Sequence, residues 1–456
     1  MHPHHIGGNK AKGLRHLRKP LHYCRSGSDG RRERFYLAVL SGKHRFAQTA
    51  ERHTEKSKNH FKKDYISNPA SQLYERNGLN YCWQPLLAGG GTATVWKEIR
   101  KGNKSVLVIS NAHSFPETDA LKKAETALAN LQTADISLLR QAHRDWWHNY
   151  YPQSFISLPD KKIENFYWAQ MYKLASATRV GGGLLDNSGP WQVLTPWPNT
   201  WWNLNVQLSY WPVYASNRLE LGMPVVDAIN NNFENLINNV PEAYRKDAAA
   251  LPVATDFNLV GVDVRVPGSK PFAQVGNLPW LCHNLWLQYR YSMDESILRN
   301  TVYPTLRRAI NFYLPFLEED GQGILHLKET YSPEYGNAKD CNYDLALLRW
   351  GCLTLLEACR ILSINDELCP TWQHIADKLT DYPQNENGMM IGKDVPYSRS
   401  HRHFSHLLMF YPLHLLNAEQ EGSKELLEKR WNTGTACPTY PRIFLYGRIL
   451  IVRRFR

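Results

Sequence analysis

Hydrophobic positions along this chain recur at helical spacing over most of its length and at strand spacing in one short region. In NYDLALLRWGCLTLLEACRIL (342–362), the positions Leu345, Leu348, Cys352, Leu355, Cys359 and Leu362 return at alternating steps of three and four. That period lays them on one face of a helix, and Asn342 is placed to cap its start. The same reading predicts helices over 163–179, 204–220, 224–239, 279–292, 296–318, 371–380 and 405–417, and an Ala- and Leu-rich helical stretch over about 118–148. From about 80 to 117 the texture changes. GTATVWKEIRKGNKSVLVISNAHSF has β-branched runs around a Gly-Asn turn signal and reads as the end of a β-domain.

Many helices joined by polar, Trp- and Pro-rich connections, with no short repeat such as a 34-residue unit, suggest a mainly α toroid with its site in the loops. The expected division is a basic, disordered leader over 1–65, a β-domain remnant over 66–117 and a helical linker over 118–158. The main helical domain follows over 159–420, with an atypical tail over 421–456.

Composition narrows the class. A chain of 456 residues with 43% hydrophobic and 21% charged positions has the balance of a soluble globular protein. The very apolar stretch 407–416 is short and interrupted by Pro412 and His414, so no membrane insertion is expected. The first residues lack an apolar h-region, so no secretory signal is visible and the compartment stays open. Residues 1–63 hold 16 Lys and Arg against 4 Asp and Glu, which accounts for the whole net charge of +12. The basicity therefore belongs to a leader, and no nucleic-acid partner is expected. The eight cysteines form no C-x-x-C pair, which indicates neither a metal site nor a disulfide framework; Cys352 and Cys359 read as small core filler.

The densest chemistry lies in WQVLTPWPNTWWNLNVQLSYWP (191–212), which carries Trp191, Trp197, Trp201, Trp202 and Trp211 beside Asn203 and Asn205. Tryptophan has an N–H that needs a partner and a face that stacks on sugars, while paired amides bind hydroxyls. The plainer alternative is an aromatic-rich helix start buried under a loop. In GNLPWLCHNLWLQYRYSMD (276–294), Trp280, His283 and Trp286 read equally well as a core helix face. Glu334, in a Ser-Pro-Glu turn before a helix, is the best general-acid candidate. A glycosidic oxygen is a poor leaving group unless protonated, and a carboxyl in an apolar, aromatic pocket is raised enough to donate near neutrality. Its alternative is a carboxylate favoured by the helix dipole. His401, His403 and His406 supply three imidazoles without the H-E-x-x-H spacing of a zinc site. They read as hydroxyl binders or as groups that orient the acid, with no metal or other cofactor expected.

WWNLNVQLSYWP, PWLCHNLWLQY with YPTLRRAINFYLPFL, SPEYG with NYDLALLRW, and HRHFSHLLMFYP follow one another in an order that resembles glycoside hydrolase family 95. Its members include α-L-fucosidases and α-L-galactosidases. HRDWWHNYYPQSFISLPDKKIENFYWAQMYKLASATR is similar to the start of that catalytic domain, and the resemblance covers roughly residues 75–420. It implies an (α/α)6 barrel behind an N-terminal β-domain, and inverting, metal-free hydrolysis of terminal α-L-fucosyl or α-L-galactosyl residues on a glycan. On that pattern Glu334 matches the general acid. Asn203 and Asn205 match the asparagine pair that works with a catalytic aspartate on water. Trp202, Trp280, His401 and His403 fall near the sugar. The family's aspartate lies in an Asp-x-Asn-Phe-Gly type motif beyond the histidine segment, whereas the last aspartate here is Asp394 and likeness fades after about residue 430. A truncated or frameshifted coding sequence is the expectation from that departure. The alternative function is a catalytically impaired, carbohydrate-binding remnant.

Overall fold

The computed structural model describes residues 21–22, 34–35, 68–101, 104–132, 136–185, 187, 189, 199–262, 264–269, 271–399, 401, 403–417, 419 and 420. The chain divides between Asn149 and Tyr150 into two compact units. In the first, β1 (Gln72–Arg76), β2 (Leu79–Pro85), β3 (Gly91–Lys101) and β4 (Lys104–Ser114) form a four-stranded antiparallel sheet in chain order. Asn77 and Gly78 turn β1 into β2 with φ of 53° and 72°, the left-handed pair that a tight hairpin needs. The Gly-Asn turn signal at 102–103 lies outside the described residues. One face of the sheet buries Tyr81, Ala93 and Val95 against Ala120, Ala124 and Leu128 of helix α1 (Ala120–Gln132). Those three recur every four residues, so they form the stripe that a sheet face accepts. Expected as linker, α1 is part of this unit's core. Helix α2 (Ile136–Tyr150) follows.

The second unit is mainly helical. Helix α3 (Lys161–Ala177) starts where the Asp160 carboxylate accepts from the Lys162 N–H at 2.8 Å. After a two-residue strand β5 (Thr200–Trp201) come α4 (Asn205–Ala215), α5 (Met223–Asn231) and α6 (Phe233–Asn238). Strand β6 (Ala254–Thr255) pairs back onto β5. Next are α7 (Asn277–Ser292), α8 (Tyr303–Asn311), the hairpin β7 (Leu317–Glu319) with β8 (Leu325–Leu327), and the hairpin β9 (Thr330–Ser332) with β10 (Gly336–Ala338). Helices α9 (Asn342–Leu362) and α10 (Cys369–Lys378) complete the set used below. α7 and α9 are buried on nearly every side, which makes them the centre about which α4, α8 and α10 pack. Gly351 allows the approach of α8: a Cβ there would lie 2.2 Å from the Ile310 Cδ1.

Several expected helices stop early. The 204–220 prediction ends at Ala215, and the 224–239 helix breaks at Asn232. The 296–318 stretch passes through a π turn at Leu298–Val302 and finishes in β7. The largest correction is 405–417, where only a 3-10 turn at Ser405–Leu407 forms. Pro412 offers no N–H, and His414 adopts φ of 51°, so the chain turns although Leu408, Met409, Phe410 and Leu413 are all buried. Burial from several sides imitated the helical period.

Polar side chains tie the helix starts together. Gln207 donates to the Trp202 carbonyl and, at 3.4 Å, to the Asn277 carbonyl. Asn277 Oδ1 accepts from the Tyr343 hydroxyl at 3.3 Å. Beside Tyr343, the fully buried Asp344 accepts from Thr330 at 2.6 Å and from Tyr313 at 2.7 Å. Burial pushes the Asp344 carboxyl up to about 7, against the lowering pull of its bonds to Thr330, Tyr313 and Cys341. A carboxyl raised on folding stays protonated where the unfolded chain has released its proton. Stability therefore falls as pH rises from 3.8 to about 7. Urea unfolding across that range is expected to show this fall in the wild type and a flatter profile in Asp344→Asn; identical profiles would contradict the assignment. Asp344→Ala, which strands two buried donors, is expected to lose about 3 kcal/mol.

Candidate active site

The β9–β10 hairpin places Glu334 at its tip, between the paired residues Ser332 and Gly336. The β9 strand and the tip are both fixed. Thr330 is held by Asp344 at 2.6 Å, and the Ser405 hydroxyl donates to the Pro333 carbonyl at 2.7 Å while sharing a 2.7 Å bond with the Ser332 hydroxyl. The Glu334 carboxylate has 34% of its surface open, and its Oε2 lies 3.6 Å from the buried His403 Nε2. The acid is thus open to a substrate on one side and faces an imidazole on the other.

A layer of rings backs this pair. The His403 N–H donates to His401 Nδ1 at 3.1 Å, with ring centres 5.4 Å apart. The Tyr335 ring meets His401 edge-on at 6.2 Å and stacks on Tyr397 at 5.4 Å, and Tyr397 in turn stacks on His406 at 4.5 Å. Arg399 covers the outer face of Tyr335, 4.7 Å from its centre, and donates to the Tyr335 carbonyl at 2.6 Å. Glu334, His401 and His403 are therefore brought together. Among the described residues, no group of three His, Cys, Asp or Glu side chains is placed to hold a metal ion.

The asparagine segment is built around Trp202. Its backbone N–H donates to the Val253 carbonyl and its indole N–H to Thr255 Oγ1, both at 2.9 Å. The ring is 0% exposed. This corrects the expectation that Trp202 lies against sugar: no face is free to stack, and it anchors β5 on β6 instead. Trp280 is corrected in the same way as a stacking surface, since it is 2% exposed and packs edge-on against Tyr343 at 5.9 Å. Asn205, half-buried, is the first residue of α4. Asn203 is 2% exposed, and its Nδ2 has no hydrogen-bond partner among the described residues. The indole N–H groups of Trp201 and Trp280 are likewise buried and unmatched. Trp191 and Trp197 lie outside the described residues.

Buried donors without acceptors are uncommon because each forfeits its hydration. Three of them near the starts of α4 and α7 suit a ligand rich in hydroxyl oxygens. The Gln207–Asn277–Tyr343 bonds connect that region to the first turn of α9, and Asp344 connects α9 to the Glu334 hairpin. Gln207, Asn277 and Asp344 were not singled out in the sequence. The only signal they offered was polarity on otherwise apolar helix faces. His283 is a packing residue set edge-on to Trp350 at 5.3 Å. Burial first, then the charge of His414, lowers it to about 3, against a bond to the Pro412 carbonyl. Trp286 is buried under the Arg290 guanidinium at 5.5 Å.

The family model described as "Glycosyl hydrolase family 95 catalytic domain" matches residues 155–453. The match runs past residue 430, which corrects the expectation that likeness fades there. "Alpha-L-fucosidase 2" of Arabidopsis thaliana is 24% identical over 309 residues, covering 63% of this chain and 36% of that protein. "Probable alpha-fucosidase A" of Aspergillus niger is 23% identical over 298 residues, covering 59% of this chain and 36% of that protein. The chain thus spans about a third of the length of either relative. Among solved structures, a "Putative kojibiose phosphorylase from human microbiome" superposes with a TM-score of 0.52 at 11% identity, covering 71% of this chain and 48% of that one. That likeness concerns the fold, and a mainly α toroid fits it.

The two tryptophan-segment residues should separate by stability. Trp202→Phe, which removes the indole N–H bond to Thr255 Oγ1, is expected to lose about 1–2 kcal/mol in urea unfolding. Asn203→Ala removes an unmatched donor and is expected to leave stability unchanged or slightly higher. A large loss in Asn203→Ala would mean that its amide serves the fold.

Proposed function

The chain belongs to glycoside hydrolase family 95, and from that premise we propose that it removes terminal α-L-fucosyl (or α-L-galactosyl) residues from glycans with inversion. The observation that carries this reading is the pinned, partly open Glu334 carboxylate 3.6 Å from His403, within a unit that also holds the unmatched amide of Asn203. In its acid form Glu334 gives its proton to the glycosidic oxygen as the bond from the anomeric carbon breaks. The leaving sugar departs as a neutral alcohol. A water held by Asn203 and Asn205 forms the new bond from the opposite face and gives up its proton to a base. Inverting enzymes keep acid and base about 6.5–9.5 Å apart, which leaves room for that water. His401 and His403 bind hydroxyls of the terminal sugar. The names of the two relatives support fucose as the sugar.

A second reading has one observation in its favour. The family pattern supplies the base as an aspartate beyond the histidine segment, and from 395 to 456 the carboxylates are Glu419, Glu421, Glu425 and Glu428. On that reading the chain binds the sugar and hydrolyses it slowly.

Leaving-group chemistry tests the role of Glu334. Glu334→Gln is expected to lose about 100- to 10,000-fold in kcat/KM on methyl α-L-fucoside, whose alkoxide needs a proton. The loss on α-L-fucosyl fluoride should be far smaller, because fluoride departs without one. Equal losses on both would remove Glu334 from the acid role. A wild-type chain that binds L-fucose yet hydrolyses neither compound above the buffer rate would favour the second reading.

A further inference from the structure

Phe272 stands in the turn before α7 with φ of 69°, a left-handed conformation that bulky residues rarely adopt. Its side chain is 54% exposed, so burial does not repay the strain. The turn is held in place: the Phe272 carbonyl accepts from the Gln274 N–H at 2.9 Å, and the Ala273 carbonyl accepts from the Tyr331 N–H at 3.0 Å. The ring meets Tyr331 edge-on, 4.8 Å between centres at 68°. Tyr331 belongs to β9 and stands three residues before Glu334. Burial raises its phenol, the Glu334 carboxylate raises it further, and Arg399 opposes both. Tyr331 therefore lies within electrostatic reach of the acid and of Arg399.

We propose that Phe272 and Tyr331 form a subsite for the departing sugar, with the Phe272 ring as its platform. The inference rests on the reading of Glu334 as the general acid. The oxygen that an acid protonates leaves with the departing sugar, so aromatic surface flanking the acid meets that sugar. Pyranose rings present C–H faces that pack on exposed aromatic rings, and a few fixed polar groups set their orientation. The Tyr331 hydroxyl and the Arg399 guanidinium are those groups here. A strained, solvent-facing phenylalanine is a position at which glycine would serve the fold better, which points to a role outside the fold.

The test compares, in variant and wild type, the ratio between two substrates: methyl α-L-fucoside, and methyl β-D-galactoside carrying an α-L-fucosyl group on O2. Phe272→Gly is expected to lower the kcat/KM ratio of the disaccharide over the methyl fucoside by about tenfold, the scale of one aromatic contact. Phe272→Trp should restore the ratio, and Phe272→Gly should keep the wild-type melting temperature. A readout that needs no turnover is saturation-transfer NMR from the protein to free methyl β-D-galactoside, expected in the wild type and lost in Phe272→Gly. An unchanged ratio, or saturation transfer independent of Phe272, overturns the subsite. If the wild type hydrolyses neither substrate while saturation transfer still depends on Phe272, the catalytic reading fails and the subsite stands.

Discussion

The starts of three helices depend on buried polar side chains that have no water as an alternative partner. Gln207 in α4 bonds the start of α7, Asn277 in α7 bonds Tyr343 in α9, and Asp344 beside it holds Thr330 and Tyr313. Each such bond adds only about 1 kcal/mol net, whereas breaking one strands a buried group at about 1–3 kcal/mol. Apolar packing alone would leave helices free to slide by fractions of a turn. The directional bonds fix which turn of one helix faces which turn of the next. Glu334 inherits that precision, because its hairpin is attached to α9 through Asp344 and to the histidine segment through Ser405.

Beside this frame, several groups break rules that folding alone would keep. Asn203, Trp201 and Trp280 bury donors that have no acceptor among the described residues, and Phe272 pairs a left-handed backbone with an exposed ring. A sequence shaped by folding alone would place an apolar side chain at the first three and glycine at the fourth. Local conflict of this kind concentrates where a ligand completes the structure. The carboxylates divide in the same way: Asp344 is sealed and serves the frame, while Glu334 is open and faces His403.

Much of this was legible in the sequence wherever a local rule determined the outcome. The three-and-four spacing in 342–362 gave α9, although Asn342, expected to cap it, is its first helical residue behind Cys341 and donates to the Pro383 and Met390 carbonyls instead. The β-branched runs correspond to paired strands of the first unit, whereas the Asn77-Gly78 turn of its first hairpin was not singled out. The segment 405–417 was misread because apolar residues at helical spacing also suit a turn that is buried on several sides. Trp202 was misread because indole clusters serve anchoring and stacking alike; only the Thr255 bond and the absence of exposure separate the two. Gln207, Asn277 and Asp344 were invisible because the partners that link them to other elements lie 14 to 70 residues away in sequence. The motif order pointed to the family, and the match over 155–453 agrees with it.

The central claim is that the Asn203 amide serves the site rather than the fold: it holds the attacking water, whose oxygen becomes the anomeric hydroxyl of the released L-fucose. Calorimetric titration of L-fucose into the wild-type chain and into Asn203→Ala tests it without requiring turnover. The account predicts saturable binding by the wild type and an affinity about tenfold weaker in the variant, the scale of a buried hydrogen bond. Equal affinities, or no binding by a folded wild-type chain, would contradict it.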